Sequence, residues 1–293
     1  GDTIQALRER LEQGNLTSGN GSYSQHDIAP AYLDRIVGDI KLARPMKIIV
    51  DSGNGVPGAF GPELYRRLGC TVEELFCEVD GTFPNHHPDP SQPKNLVDLI
   101  AALKTSDAEI IFDVKSTRNL FSWIRERGGR PLLWKTGHSF IKAKMKETGA
   151  LLAGEMSGHV FFKERWYGFD DGMYAGARLL EYLSKQDDIN ATLHGLPDTV
   201  NTPELNITMP EGEHYTLMTK LQQTATFPDA TEIITLDGLR VEYADGFGLA
   251  RPSNTTPVIV LRFEADTQSA LEHIQADFRR VFLDAAPDLK LPF

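Results

Sequence analysis

Apolar positions along the first two thirds of the chain alternate between helical and strand periods. Residues 3–13 are strong helix formers with Ile4, Leu7 and Leu11 on one face, which predicts a helix. The Gly-, Ser- and Asn-rich run 14–25 predicts a loop. A helix is expected over residues 31–40. The short apolar run Met46–Val50 reads as a buried strand ending in Asp51-Ser52-Gly53-Asn54-Gly55, with a helix near 60–68 closed by Gly69 and a second strand near 72–75. Strand, glycine-containing loop and helix in that order is an α/β unit. Residues 80–95 are too rich in Pro, Asn and Asp for regular structure, and 95–103 resumes as a helix.

The same order then returns. Residues 109–114 predict a strand, 117–127 a helix closed by Gly128-Gly129, 130–134 a strand and 139–146 a helix. Asp51 and Asp113 sit at equivalent strand ends, which suggests two similar α/β domains side by side. A strand at 151–153, a dense polar segment at 154–171 and a helix at 172–184 complete this part. From about Asn201 the pattern changes to strands at 204–209, 232–235, 239–243 and 258–264, with helices at 215–223 and 266–283. Strands and helices without βαβ alternation predict a separate C-terminal α+β domain.

Composition narrows the function classes. The chain has 293 residues, room for two or three domains. Its 30 Lys and Arg against 41 Asp and Glu give a net charge of −11, which argues against a nucleic-acid surface but leaves room for a local cationic pocket. At 41% hydrophobic and 24% charged residues it reads as folded, with no apolar run long enough for a bilayer and no signal peptide. Two cysteines, Cys70 and Cys77, are too few for a disulfide framework, so reduced thiols and a cytoplasmic location are expected. The chain begins on Gly1 rather than Met and so is expected not to be a complete gene product.

Three segments could carry chemistry. In Gly154-Glu155-Met156-Ser157-Gly158-His159, the Glu, Ser and His side chains could bind sugar hydroxyls, or the segment could be a tight turn with a capping Ser. Lys135-Thr136-Gly137-His138-Ser139 lies between a strand and a helix, where α/β proteins bind ligands. His138 could be an acid or base, with a cation and a helix start suited to phosphate, or it could be satisfied within its own loop. Arg251-Pro252-Ser253-Asn254-Thr255-Thr256-Pro257 sets one guanidinium beside four hydrogen-bonding side chains, either a phosphate cradle or a polar hairpin turn. Asn85-His86-His87-Pro88-Asp89-Pro90 has a metal-site composition, but adjacent His side chains point apart, which favours a structural loop. Asp51-Ser52-Gly53-Asn54-Gly55 could face phosphate, yet it lacks the Lys of a P-loop and the spacing of a dinucleotide fingerprint. Lys115, just after Asp113-Val114, could face the same cleft.

Together, the segments GEMSGH, KTGHS, RPSNTTP, DSGNG and PNHHPDP are far more specific than any one alone, and the chain resembles the α-D-phosphohexomutase family from end to end, most closely its bacterial phosphomannomutase/phosphoglucomutase branch. The resemblance implies a four-domain, heart-shaped enzyme. Residues 1–105 would be the end of domain 1 and an incomplete domain 2, 106–200 domain 3 with the sugar loop, and 201–293 domain 4 with the phosphate loop. It implies transfer of phosphate between O1 and O6 of glucose or mannose phosphates through a phosphoserine and a bisphosphorylated intermediate, in a cytoplasmic monomer, with Mg2+ and glucose 1,6-bisphosphate as cofactor and activator. Its partners would be hexose phosphates, not nucleic acid or membrane. Carried over, Glu155, Ser157 and His159 resemble the sugar-binding residues. Lys115 and His138 resemble those at the reacting end, His138 as a proton-transfer candidate. Arg251, Ser253, Asn254 and Thr255 resemble the clamp on the distal phosphate.

The chain departs from that pattern in two ways. It has no Ser in a phosphoserine motif, and it has no DGDGDR metal loop, which would fall where Thr105-Ser106-Asp107 join a helix to a strand. No metal ligand is therefore assigned. The resemblance leaves open a non-catalytic sugar-phosphate-binding fragment and a mutase acting on glucosamine phosphate.

Overall fold

A computed structural model of the chain describes residues 2–85, 117–126, 131–194, 199–253 and 256–293. Helix α1 (Asp2–Glu12) forms as expected, with Leu7 and Leu11 exposed. The first α/β unit runs α2 (Ala29–Asp39), β1 (Lys47–Asp51), a short 3-10 turn (Val56–Ala59), α3 (Gly61–Arg67) and β2 (Thr71–Leu75). Strands β1 and β2 pair in parallel from Lys47↔Thr71 to Asp51↔Leu75, which requires the crossover that α3 supplies. Gly69 closes α3 at φ +96, in the left-handed region open to glycine.

The next part contains α4 (Leu120–Glu126), α5 (His138–Thr148), the antiparallel hairpin β3 (Leu152–Gly154) and β4 (Val160–Phe162), α6 (Gly172–Leu183) and α7 (Ile189–His194). The expected helix at 95–103, the strand at 109–114 and the glycine pair at 128–129 lie outside the described residues. The strand expected at 130–134 is absent over 131–134: Pro131 has no N–H to give a ladder, and the Trp134 ring lies 4.0 Å beneath the Lys144 ammonium. Two side-by-side domains were expected, and their described elements share a core. Leu33, Ile36, Ile48 and Leu64 of the first unit pack with Tyr174, Ala177 and Leu180 of α6. Gly176 allows this approach, since a Cβ there would lie 2.5 Å from the Tyr65 hydroxyl.

The C-terminal part has the α+β character expected. Strands β5 (Val200–Asn201) and β6 (Leu205–Thr208) both pair with β10 (Val258–Ala265), followed in order by β9 (Gly246–Pro252), β8 (Leu239–Tyr243) and β7 (Glu232–Ile234), every pair antiparallel. Helices α8 (Glu213–Thr224) and α9 (Gln268–Ala285) cover the sheet. Phe263, Ile274, Phe278 and Phe282 are buried between sheet and helix. Arg251 and Pro252, expected in a loop, complete β9 opposite Val260 and Ile259.

Candidate active site

The hairpin β3–β4 ends in the turn that carries Glu155, Met156 and Ser157. Its geometry is fixed by Glu155 N–H donating to the His159 carbonyl (2.8 Å) and Gly158 N–H to the Glu155 carbonyl (3.0 Å), with Gly158 at φ +87. The segment is thus a tight turn, and its side chains remain for chemistry. Glu155 Oε2 accepts from the Gly137 amide at 3.1 Å, while its buried Oε1 has no hydrogen-bond partner among the described residues. A buried carboxylate oxygen with no donor costs free energy unless a ligand hydroxyl supplies one. Ser157 is exposed at the tip. His159, partly exposed, has Nδ1 2.6 Å from Asp170 Oδ2.

His138 opens α5, immediately after Gly137, which adopts φ +125. This bend presents two consecutive amides in different directions. Gly137 N–H points to Glu155, and Thr136 N–H donates to Asp237 Oδ2 at 3.0 Å. The same Asp237 oxygen accepts from Arg251 Nε at 3.1 Å. Three hydrogen bonds, continued through the peptide between Thr136 and Gly137, therefore link Glu155, Gly137, Thr136, Asp237 and Arg251 and join all three polar segments. Asp237 has no place in the sequence reading, because an Asp-Gly pair between two strands reads as turn chemistry alone.

Ser253 is buried. Its N–H donates to Val258 (2.9 Å), its carbonyl accepts from the Tyr215 hydroxyl (3.1 Å), and its Oγ lies 3.1 Å from Thr256 Oγ1. The end of β9 is thus anchored from α8. Lys115, Asn254 and Thr255 lie outside the described residues.

Further contacts hold the surroundings in register. Glu264, fully buried, accepts from Thr117 Oγ1 at 2.6 Å and from the Arg118 amide at 3.1 Å, and Arg118 makes a forked pair with Asp266 at 2.9 and 3.0 Å. Arg262, half-way along β10, reaches Met156 of the β3–β4 turn, and burial lowers its guanidinium pKa against the opposing effect of Glu264. Asp171 caps α6 through the Tyr174 amide (3.0 Å) and also accepts from Trp166 Nε1 (3.1 Å) and Tyr32 (2.8 Å).

The phosphate-facing alternative for Asp51-Ser52-Gly53-Asn54-Gly55 does not hold. Asp51 Oδ1 takes the Gly53 amide (3.0 Å), the Asn54 amide goes to Phe76 (2.8 Å), and Asn54 Nδ2 goes to Glu78 (2.8 Å), so the loop's donors are spent internally. Asn85 Nδ2 donates to Asn54 Oδ1 at 2.8 Å, consistent with the structural role expected for the start of the 85–90 loop, whose remainder lies outside the described residues. Cys70 and Cys77 are free thiols, and no helix among the described residues is long and apolar enough to cross a membrane.

The described residues do not fit a magnesium centre at these loops. The one group of three ligand-type side chains among them is Asp229, His273 and Asp277. It sits beside Tyr243, whose hydroxyl meets Asp277 at 3.1 Å, and so at the opposite end of β8 from Asp237.

Known proteins resemble this chain over its full length. Three family models match: phosphoglucomutase/phosphomannomutase alpha/beta/alpha domain II over residues 30–114, alpha/beta/alpha domain III over 95–200 and the C-terminal domain over 204–281. A phosphoglucomutase of Neisseria meningitidis serogroup A is 53% identical over 338 positions, covering 100% of this chain and 73% of the relative. A phosphomannomutase/phosphoglucomutase of Pseudomonas aeruginosa is 49% identical over 336 positions, covering 100% and 72%. The crystal structure of a phosphoglucomutase/phosphomannomutase family protein from Burkholderia thailandensis superposes with a TM-score of 0.91 at 52% identity, again over 100% and 72%. The alignment with the Neisseria protein spans 338 positions against 293 residues here, so about 45 positions of the relative face no residue of this chain. The models for domains II and III both claim residues 95–114, the region of the expected junction.

Proposed function

This chain belongs to the phosphoglucomutase/phosphomannomutase family of hexose-phosphate isomerases, and from that premise we propose that its three polar turns form the substrate-recognition half of the hexose-phosphate site. The observation that carries the proposal is the hydrogen-bonded line from Glu155 to Arg251. A hexose phosphate needs an acceptor for its hydroxyls at one end and a cation for its non-reacting phosphate at the other, held at a fixed separation. Glu155 Oε1 is the hydroxyl acceptor, with Ser157 beside it. Arg251 is the phosphate anchor, with Ser253, Asn254 and Thr255 completing that loop.

His138 and Lys115 stand at the reacting end in this reading, and His159, which the resemblance groups with the sugar-binding residues, is added to them on the geometry of its pair with Asp170. A carboxylate at Asp170 accepts from His159 Nδ1–H, and in the neutral imidazole that tautomer leaves Nε2 with its lone pair. That tautomer suits His159 to take the proton from the sugar hydroxyl that becomes phosphorylated, with His138 as the second proton-transfer group. A phosphoserine donor and Mg2+, with glucose 1,6-bisphosphate as activator, belong to the family resembled. Mg2+ would lend positive charge to the transferring phosphoryl group, but its loop has no counterpart in these 293 residues, and no step is assigned to it here. Cytoplasmic location and a monomeric state remain part of this proposal, as does the division into the end of domain 1 with an incomplete domain 2, then domain 3 and domain 4.

The test is conversion of glucose 1-phosphate to glucose 6-phosphate by the full-length protein with Mg2+ and the bisphosphate. Turnover that falls on replacement of Glu155 supports the reading, and wild-type turnover after that replacement overturns it. A second reading, binding without turnover, is favoured by the absence of a DGDGDR metal loop from the sequence and by the positions of the relative that face no residue here. Calorimetric binding of glucose 1-phosphate with no product at any Mg2+ concentration would select it. Glucosamine phosphate as preferred substrate has less support, since the relatives near 50% identity carry the names phosphoglucomutase and phosphomannomutase/phosphoglucomutase.

A further inference from the structure

Asp237 occupies the turn at 235–238 between β7 and β8, and that turn is pressed onto β9 at Arg251. Gly238, at φ +85, makes the approach possible: a Cβ there would lie 2.3 Å from the Ala250 carbonyl oxygen and 2.6 Å from Arg251 Cα. The close approach brings Asp237 Oδ2 to Arg251 Nε at 3.1 Å and to the Thr136 amide at 3.0 Å. Both side chains are largely covered, Arg251 at 12% and Asp237 at 22% exposure.

We infer that Asp237 is a positioning residue: it orients the Arg251 guanidinium for phosphate and ties it to the loop that carries His138. The inference rests on Arg251 being the phosphate anchor. A guanidinium held through Nε keeps its two terminal nitrogens as a fork, the geometry that grips two phosphate oxygens. Thr136 is next to Gly137, whose amide holds Glu155, so the same carboxylate links the phosphate end of the site to the hydroxyl end.

The competing expectation has the opposite sign. Asp237 places a negative charge beside a phosphate site, so if electrostatics alone mattered its neutralisation would tighten anion binding. Positioning requires that neutralisation weaken it. The experiment is calorimetric titration of the full chain with glucose 1-phosphate for the wild type, Asp237→Asn, Arg251→Ala and the double variant, with thermal midpoints recorded for each. Asp237→Asn is nearly isosteric, so it removes charge with little change of shape. Expected are an affinity about tenfold weaker for Asp237→Asn and no further loss when it is added to Arg251→Ala, because residues that act through one another are not additive. Unchanged or tighter binding by Asp237→Asn, or an equal loss in both backgrounds, overturns the inference while leaving Arg251 as the anchor. Wild-type binding by Arg251→Ala overturns the anchor and the inference together.

Discussion

His159 and Asp170 form a 2.6 Å pair beside the turn of the β3–β4 hairpin, held in register by the bridge between Phe161 and Asp170. Replacing Asp170 by Asn keeps the size but lets the side chain donate, so the imidazole can turn to the other tautomer and lose its Nε2 lone pair. For Asp170→Asn we expect kcat to fall on the order of 10²-fold, the range of general acid–base effects, with KM for glucose 1-phosphate little changed and the pH profile of kcat altered. Steady-state kinetics across pH checks this. A parallel rise in KM with an unchanged profile would assign Asp170 to the shape of the hairpin instead.

Glu155 contributes in two directions, through Oε2 to the Gly137 amide and through the unpartnered Oε1. Glu155→Gln preserves an acceptor for Gly137 but removes the charge. Glu155→Ala removes both. We expect kcat/KM for glucose 1-phosphate to fall in the order Ala, then Gln, then wild type. The Gln variant should lose about 1.5–3 kcal/mol of transition-state binding, the worth of a hydrogen bond to a charged group. Wild-type kcat/KM for the Gln variant would show that Oε1 meets no hydroxyl.

Arg251→Ala should weaken glucose 1-phosphate binding by about 1.5–3 kcal/mol, roughly 10- to 150-fold. The loss should shrink with added salt and be absent for free glucose, which carries no phosphate. Titration with the two sugars at two ionic strengths separates a lost anion contact from a disturbed fold.

The three polar turns were legible because short side chains, glycines and one charged group gather at the ends of predicted elements. The bond that joins two of them was not. Asp237 reads as turn chemistry, and nothing local tells that Gly238 lets its turn lie against Arg251. Strand β9 was hidden in the same way. No strand was expected over 246–252, whereas a Cβ at Gly246 would lie 2.6 Å from Ile274 and one at Gly248 2.4 Å from Phe278. The glycines there answer to a helix distant in sequence. The hairpin partner of β3 was lost because β4 is three residues long inside a polar segment. The core shared by α2, β1 and α6 was invisible for a third reason: helix periodicity reports which face is buried but not against what.

Acid should loosen the shared core through Glu181. Burial alone would raise its carboxyl pKa, but hydrogen bonds from Arg165 and from the Lys41 amide (3.1 Å) outweigh burial and hold it below the ordinary 4.5. A lowered folded-state pKa means the pair's contribution is complete above about pH 4.5 and is lost as pH falls through the folded value. Glu181→Gln is therefore expected to cost about 1–3 kcal/mol at pH 7 and progressively less below pH 4.5. Urea midpoints for both proteins at several pH values test the sign. A gap that widened toward acid would contradict it.

Gly248 offers the sharpest test of packing in the C-terminal part, because its constraint is steric and not conformational. Its Cα hydrogen faces the Phe278 ring, and an alanine Cβ would lie 2.4 Å from Cε2 and 2.8 Å from Cζ. Phe278 is fully buried and its ring packs against Phe227 and Phe263, so it has no open space into which to turn. Gly248→Ala should then destabilise the protein by about 1–3 kcal/mol, the usual cost of overpacking. The ordinary gain from replacing a strand glycine by alanine is too small to offset this. Phe278→Leu alone should also destabilise, through the cavity it leaves. Each change relieves the fault of the other, so the double variant should be more stable than the sum of the two losses predicts, by a coupling of about 0.5–3 kcal/mol. Urea unfolding of the four proteins measures that coupling, and strict additivity would mean the β9–α9 contact is not made at Gly248.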